Sequence, residues 1–259
     1  MKDVAIALVA DFKFLKIHFK RIFLEIRKIG NYQGPIIVIT TLLCPTFLIK
    51  FLNKKNNIFI LRFKKIKFSK FAENSLNNLE TNFQPNRNKY KKFQWHKLHL
   101  FDEKIKNWEY IFYLDINMNI HFELESILNI RNSNSLMARA DAYPSYDRNL
   151  STQFDNTNNL YESLKNKYDL TIVNYFQTGV MYFDTAIIES STKKEILEIV
   201  ENYPISTTNE QGILNLYFIF HQNKYIELPS TVRDYTTYFY WKNKDTKTII
   251  TKQNTPQTK

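Results

Sequence analysis

The feature that most constrains this chain is a change of hydrophobic period repeated through its first quarter. Val4–Ala10 is a continuous apolar run, and Phe12, Leu15, Phe19, Phe23 and Ile26 follow at three- and four-residue steps. The run is the pattern of a strand buried on both faces, and the stepped set is one face of an amphipathic helix. Gly30 and Gly34-Pro35 interrupt the chain before a second apolar run, Ile36–Thr40. Pro45 then predicts a short helix to about Lys54, and Ile58–Phe63 a third strand. Buried strands alternating with helices predict an α/β domain whose sheet is mostly parallel, doubly wound and flanked by helices.

The pattern continues less regularly. Residues 64–92 are basic and rich in asparagine and read as irregular. Helical spacing returns in Phe93, Lys97, Leu98, Phe101 and Ile105, and Tyr110–Leu114 is a strand that ends at Asp115. Leu136–Ala140 is a strand ending near Asp141, and residues 142–170 read as a long polar loop with one helix, Leu160–Tyr168. Tyr175–Phe183 is a strand interrupted by Gly179. Helices are expected over Thr192–Tyr203 and about Asn209–Phe220, with a strand at Tyr225–Leu228. No repeat or linker divides the chain, so residues 1–242 are expected to form one domain, with 243–259 a basic, polar tail.

Composition narrows the function. A single cysteine, Cys44, excludes an internal disulfide framework and fits a reducing compartment. The net charge of +11 accompanies a bias to Lys, Asn, Ile, Phe and Tyr of the kind an A/T-rich coding genome produces. Its residual field favours a small anionic ligand. No apolar run approaches the roughly 20 residues that cross a bilayer, and the start of the chain lacks a signal-peptide pattern. A soluble, cytoplasmic protein is expected. Gly-x-Gly-x-x-Gly, Walker and hydrolase-elbow motifs are absent, and the five histidines show no metal spacing.

Ligands of open α/β sheets sit beyond the carboxyl ends of the strands, where Asp11, Asp115 and Asp141 fall. The segment after Tyr113-Leu114 reads Asp115-Ile116-Asn117. On an extended backbone, oxygen ligands at i and i+2 reach one side and one hard cation. Gly179 lies within an aromatic strand in a chain with only four glycines, which suggests a bulge or a close approach to a ligand. Glu210-Gln211-Gly212 opens a helix with a carboxylate and an amide.

Taken in order, Lys97-Leu98-His99, Tyr113-Leu114-Asp115-x-Asn117, Phe176-Gln177-Thr178-Gly179-Val180 and Glu210-Gln211-Gly212-Ile213-Leu214-Asn215 resemble the glycogenin-like family of retaining glycosyltransferases. The resemblance covers roughly residues 4–230 and implies a GT-A, Rossmann-like fold. It implies a UDP-sugar donor and a glycan, protein or other hydroxyl acceptor. Val9, Ala10, Asp11 and Phe12 would line the nucleoside pocket, and Lys97 would reach the donor phosphates or sugar. Asp115 and Asn117 would hold Mn2+ (or Mg2+). Asp141, Gln177, Glu210 and Gln211 would read the sugar hydroxyls, beside Thr178 and Gly179, with Glu210 or Gln211 nearest the anomeric carbon. The chain departs from the family pattern at Asn117 and Glu210, where the family has Asp, and at Gln177, where it has Asn. It also lacks a histidine after His221.

Two other functions fit the same residues. One is a catalytically inactive nucleotide-sugar binder on the same fold. The other is a nucleic-acid or membrane-surface binder using the basic stretches Lys13–Lys28 and Arg87–Lys92. Nucleic acid is the less favoured partner, peripheral membrane contact is compatible with transferase activity, and an aromatic-rich surface leaves an oligomer open.

Overall fold

The central strands of the main sheet divide their side chains between two cores. In the computed structural model, which describes residues 4–79, 91–140, 148–239 and 247–252, β1 (Val4–Val9) sends Ala5, Ala7 and Val9 to one face. Val4, Ile6 and Leu8 go to the other. Both faces are covered, so the strand's two-residue period disappears from the sequence and leaves one apolar run. The strand order is β3 (Ile58–Phe63), β2 (Ile36–Thr41), β1, β4 (Tyr110–Leu114), β7 (Phe176–Asp184), β6 (Leu136–Ala140) and β8 (Tyr225–Glu227). The pairs from β3 to β4 are all parallel, and so is β6 with β8; β7 is antiparallel to both neighbours. This is the mostly parallel α/β sheet that the period changes predict.

The helix after β1, α1 (Phe12–Leu24), buries Leu15, Phe19, Ile22 and Phe23 and runs on as a wider π turn over Glu25–Ile29. Asp11 is its N-cap, accepting the Phe14 N–H at 2.8 Å. The helix expected from Pro45 is replaced by two short 3-10 turns, Thr46–Leu48 and Lys54–Asn56, separated by Phe51 at φ 70°, where helical winding stops. A helix absent from the sequence reading, α2 (Lys70–Asn77), forms within the basic stretch. Ser69 caps it through the Ala72 N–H, and it buries Ala72 and Leu76. Lys92–Phe101 winds as a 3-10 rather than an α-helix, with every residue from Trp95 to Phe101 buried. The later helices are α3 (Glu125–Leu128), α4 (Leu160–Lys167), α5 (Thr192–Asn202) and α6 (Glu210–Asn215), the last continuing as a π turn to His221.

A second, four-stranded sheet joins β5 (Met118–Ile120), β11 (Thr248–Lys252), β10 (Tyr235–Phe239) and β9 (Thr231–Val232). Part of the expected tail is therefore ordered structure. Ile249 and Ile250 are fully buried, and β11 pairs with β5 and β10. These two isoleucines are the apolar signal that the surrounding lysines and threonines mask.

His96 and His99 are core residues, their rings 4.5 Å apart. His99 stacks on Phe63 and donates Nε2–H to the Lys64 carbonyl at 3.0 Å. Burial first, then the cation of Lys193, pushes its pKa down to about 3, and burial also lowers that of His96. Both stay neutral in the fold, whereas the unfolded chain protonates them near 6.5. Their contribution is thus complete above about pH 6.5 and is lost as pH falls toward about 3. The urea midpoint is expected to drop steadily from about pH 7 to about pH 4.5, and the drop to shrink in His99→Phe. An unchanged slope in that variant would refute this assignment.

Candidate active site

Lys97 is the centre of the site. Its segment is anchored by Trp95, Leu98 and Leu100, so the side chain is led through the core to the carboxyl end of β4. There the ammonium lies 3.0 Å from Asp115 Oδ1 and 2.8 Å from Glu210 Oε1. It also donates to the carbonyl and Oγ1 of Thr178, at 3.3 and 3.4 Å, and stands over the Tyr113 ring. Lys97 is 5% exposed and Glu210 1%, so this is a desolvated ion cluster rather than a surface pair. Burial by itself lowers the Lys97 pKa, but Asp115 and then Glu210 outweigh it and hold the ammonium above the ordinary lysine range.

Asp115 is held from three sides. Its N–H bonds the Gly179 carbonyl at 2.8 Å, which ties the end of β4 to β7. Tyr113 Oη donates to Oδ1 at 2.6 Å. Tyr113 and Asp115 share a face because they are two residues apart in an extended chain. Burial, then Asp115 itself, raises the Tyr113 pKa well above the tyrosine range, so the phenol remains a donor. Burial favours a protonated Asp115, but Lys97, then Lys252, and the Tyr113 hydrogen bond keep its pKa below the usual value. Lys252 arrives on β11, in register with Met118 of β5.

After Asp115 the backbone turns rather than extends, and the Met118 N–H bonds the Asp115 carbonyl at 2.9 Å. The extended i, i+2 placement of Asp115 and Asn117 is therefore not formed. Arg21 of α1 fixes this turn, reaching the carbonyls of Met118 at 2.8 Å and Ile116 at 3.4 Å and the Asn119 side chain. Glu25 steers Arg21 and accepts the Ile120 N–H. Among the described residues, no three His, Cys, Asp or Glu side chains are grouped to hold a metal ion. Asp115 Oδ1 is engaged by Lys97 and Tyr113.

The other wall comes from β7 and α6. Thr178 Oγ1 donates to Glu210 Oε1 at 3.0 Å, and Gln211 Oε1 accepts the Thr178 N–H at 3.3 Å. Gln211 also donates to Gln153, so both ends of its amide are engaged. Asn215 accepts from the Phe176 N–H and donates to its carbonyl, splicing α6 to the start of β7. Asn209, at φ 56° and ψ −121°, sets the entry to Glu210 in a backbone region costly for a side chain. Its amide bonds Gln94 at 2.7 Å. At Gly179 an added Cβ would lie 2.7 Å from Met118 Cε and 3.6 Å from Asp115 Oδ2 and Tyr238 Oη, so the missing side chain lets Met118 pack closely against β7 beside the carboxylate. At Gly212 a Cβ would press on Phe154 and Ser206, which makes it a packing glycine too.

The structure thus brings together Lys97, Asp115, Thr178, Gly179, Glu210 and Gln211. Val9, Ala10, Asp11 and Phe12 lie at the carboxyl end of β1, directly beside β4. Gln177 lies on β7 next to Thr178, Asn117 sits in the turn, and Asp141 lies outside the described residues. Tyr113, Arg21, Gln153 and Lys252 were not singled out from sequence. Only Tyr113 carried a usable signal, its two-residue spacing from Asp115.

The sheet order and the cluster at its carboxyl edge define the class of architecture: the chain has the GT-A glycosyltransferase fold. The galactosyltransferase LgtC, in a structure in complex with donor and acceptor sugar analogs, matches with a TM-score of 0.59 at 14% identity, over 97% of this chain and 87% of its own. The bifunctional glycosyltransferase WbbM matches with a TM-score of 0.56 at 14% identity over 96% of this chain, and GlyE of Streptococcus pneumoniae TIGR4 with 0.54 at 12% over 88%. The chain spans 45% of the length of each of these last two. No protein-family model and no curated protein sequence matches it. No helix among the described residues is long and apolar enough to cross a membrane.

Proposed function

We propose that this protein is a glycosyltransferase that moves a sugar from a nucleotide diphosphate, with UDP favoured, to a hydroxyl acceptor on a glycan or protein. Membership of the glycogenin-like family and retention of configuration belong to the same proposal and rest on the four ordered motifs. One observation carries it. The buried Lys97 ammonium is clamped between Asp115 and Glu210 at the carboxyl edge of a GT-A sheet, where such sheets take ligands.

Negative charge develops on the diphosphate as its bond to the sugar breaks, and a fixed, desolvated cation stabilises it. Lys97 fills that role, with Lys252 as the second cation next to Asp115. Glu210 Oε2 is buried and has no hydrogen-bond partner, so a sugar hydroxyl would supply the missing donor. Gln177 and Thr178 line the same edge, and the end of β1 receives the nucleoside. No step is assigned to manganese or magnesium.

A thermal-shift screen of UDP, GDP and their sugars, with and without manganese, tests the proposal. A ligand at about 100 times its Kd adds about 2.7 kcal/mol, which for a chain of this size is a rise of about 5–10 °C. UDP is expected to give such a rise in the presence of a chelator, and UDP-sugars to turn over. Binding without turnover would make the protein an inactive nucleotide-sugar binder. No shift with any nucleotide would defeat both.

A further inference from the structure

The turn that leaves β2 exposes its largest side chains. Leu43 is 93% exposed, Phe47 84% and Leu48 62%, with Leu42 beside them. The turn itself is firmly seated. Cys44, Thr46, Ile49 and Leu52 are buried, the Leu42 N–H bonds the Phe63 carbonyl at 3.1 Å, and Arg62 bonds the Thr46 hydroxyl. A firm turn that presents three large apolar side chains to water needs a partner.

Charge identifies the partner. From Gly30 to Ala72 the chain has eight lysines or arginines and no aspartate or glutamate. All eight are exposed; Arg62 and Phe63 contact the turn directly, and Lys64 and Lys65 follow Phe63 in the chain. The strand that packs beside the turn, β3, thus ends in exposed cations at Arg62, Lys64 and Lys65, with no acidic side chain between Gly30 and Ala72 to offset them. Exposed aliphatic and aromatic side chains beside a run of cations suit the boundary of an anionic bilayer, where the apolar groups enter the acyl region and the cations meet the headgroups. Nucleic acid would use Phe47 by stacking but would gain little from Leu42, Leu43 and Leu48.

We infer that the Leu42–Leu48 turn, with Arg62, Lys64 and Lys65, docks the protein on an anionic lipid surface. Because β2 runs parallel to β1, the turn lies at the same end of the sheet as Asp11. Docking would hold the ligand-binding edge near the membrane.

The test is sedimentation of the full chain with phosphatidylcholine vesicles with or without phosphatidylglycerol, beside a single-stranded DNA binding assay. Binding is expected only with phosphatidylglycerol, and to weaken as salt rises from about 50 to about 200 mM. The double variant Leu43→Ser, Phe47→Ser is expected to weaken it at least about tenfold with no change in melting temperature, since both side chains are exposed. Unchanged binding in that variant, or no binding to anionic vesicles, would overturn the inference. DNA binding that falls as far as vesicle binding would reassign the surface to nucleic acid.

Discussion

Replacing Lys97 by methionine is expected to cost about 3–5 kcal/mol of stability near neutral pH, the range for removing one partner from a buried ion pair. Methionine keeps the apolar stem and removes only the charge. It leaves Asp115 and Glu210, which had shared one ammonium at 3.0 and 2.8 Å, inside the core edge. Tyr113 and Thr178 still donate one hydrogen bond each, which does not offset two desolvated carboxylates. Without the cation, the burial that favours protonated Asp115 loses its main counterweight, and the folded Asp115 pKa rises. The defect should therefore shrink as pH falls toward about 4, because the folded state then takes up the proton more readily. Adding Glu210→Gln should recover part of the loss by removing one of the stranded charges. Urea unfolding of the single and double variants at about pH 5 and about pH 8 gives the answer. A loss below about 1 kcal/mol, or one that grows in acid, would mean that these residues do not form a buried ion cluster.

The second large effect concerns chemistry. In Asp115→Asn the Tyr113 hydrogen bond and the end of β4 have an acceptor of the same shape, and Lys97 keeps Glu210. Folding should survive. The charge that positions Lys97 against the donor is removed, and donor turnover is expected to fall about 10²–10³-fold, the usual effect of losing one preorganised electrostatic group. Turnover within about threefold of wild type, in a variant with an unchanged unfolding midpoint, would dismiss Asp115 from the site.

Much of the fold was legible in the sequence because it rests on local pattern. Val4–Ala10 and Ile36–Ile39 are apolar throughout since both sheet faces are covered, and that alone implies parallel strands under helices. The approach of Asp115 to Glu210 was expected from the resemblance carried by the four ordered motifs. What escaped notice depends on distant contacts. Ile249-Ile250 is a strand only because β5 and β10 flank it, and nothing near Lys252 shows that it arrives opposite Met118. The Asp115-Ile116-Asn117 segment misled because its turn lacks glycine and proline and is imposed by Arg21, nearly a hundred residues earlier in the chain. Ser69 is the exception, a visible N-cap at the head of a helix within a stretch read as irregular.

The most direct measurement is a crystal structure of the protein soaked with UDP. A diphosphate is expected within hydrogen-bond reach of the Lys97 ammonium, beside Asp115, with the uridine toward Val9–Phe12. A nucleotide bound on another face, or none bound at all, would contradict that placement.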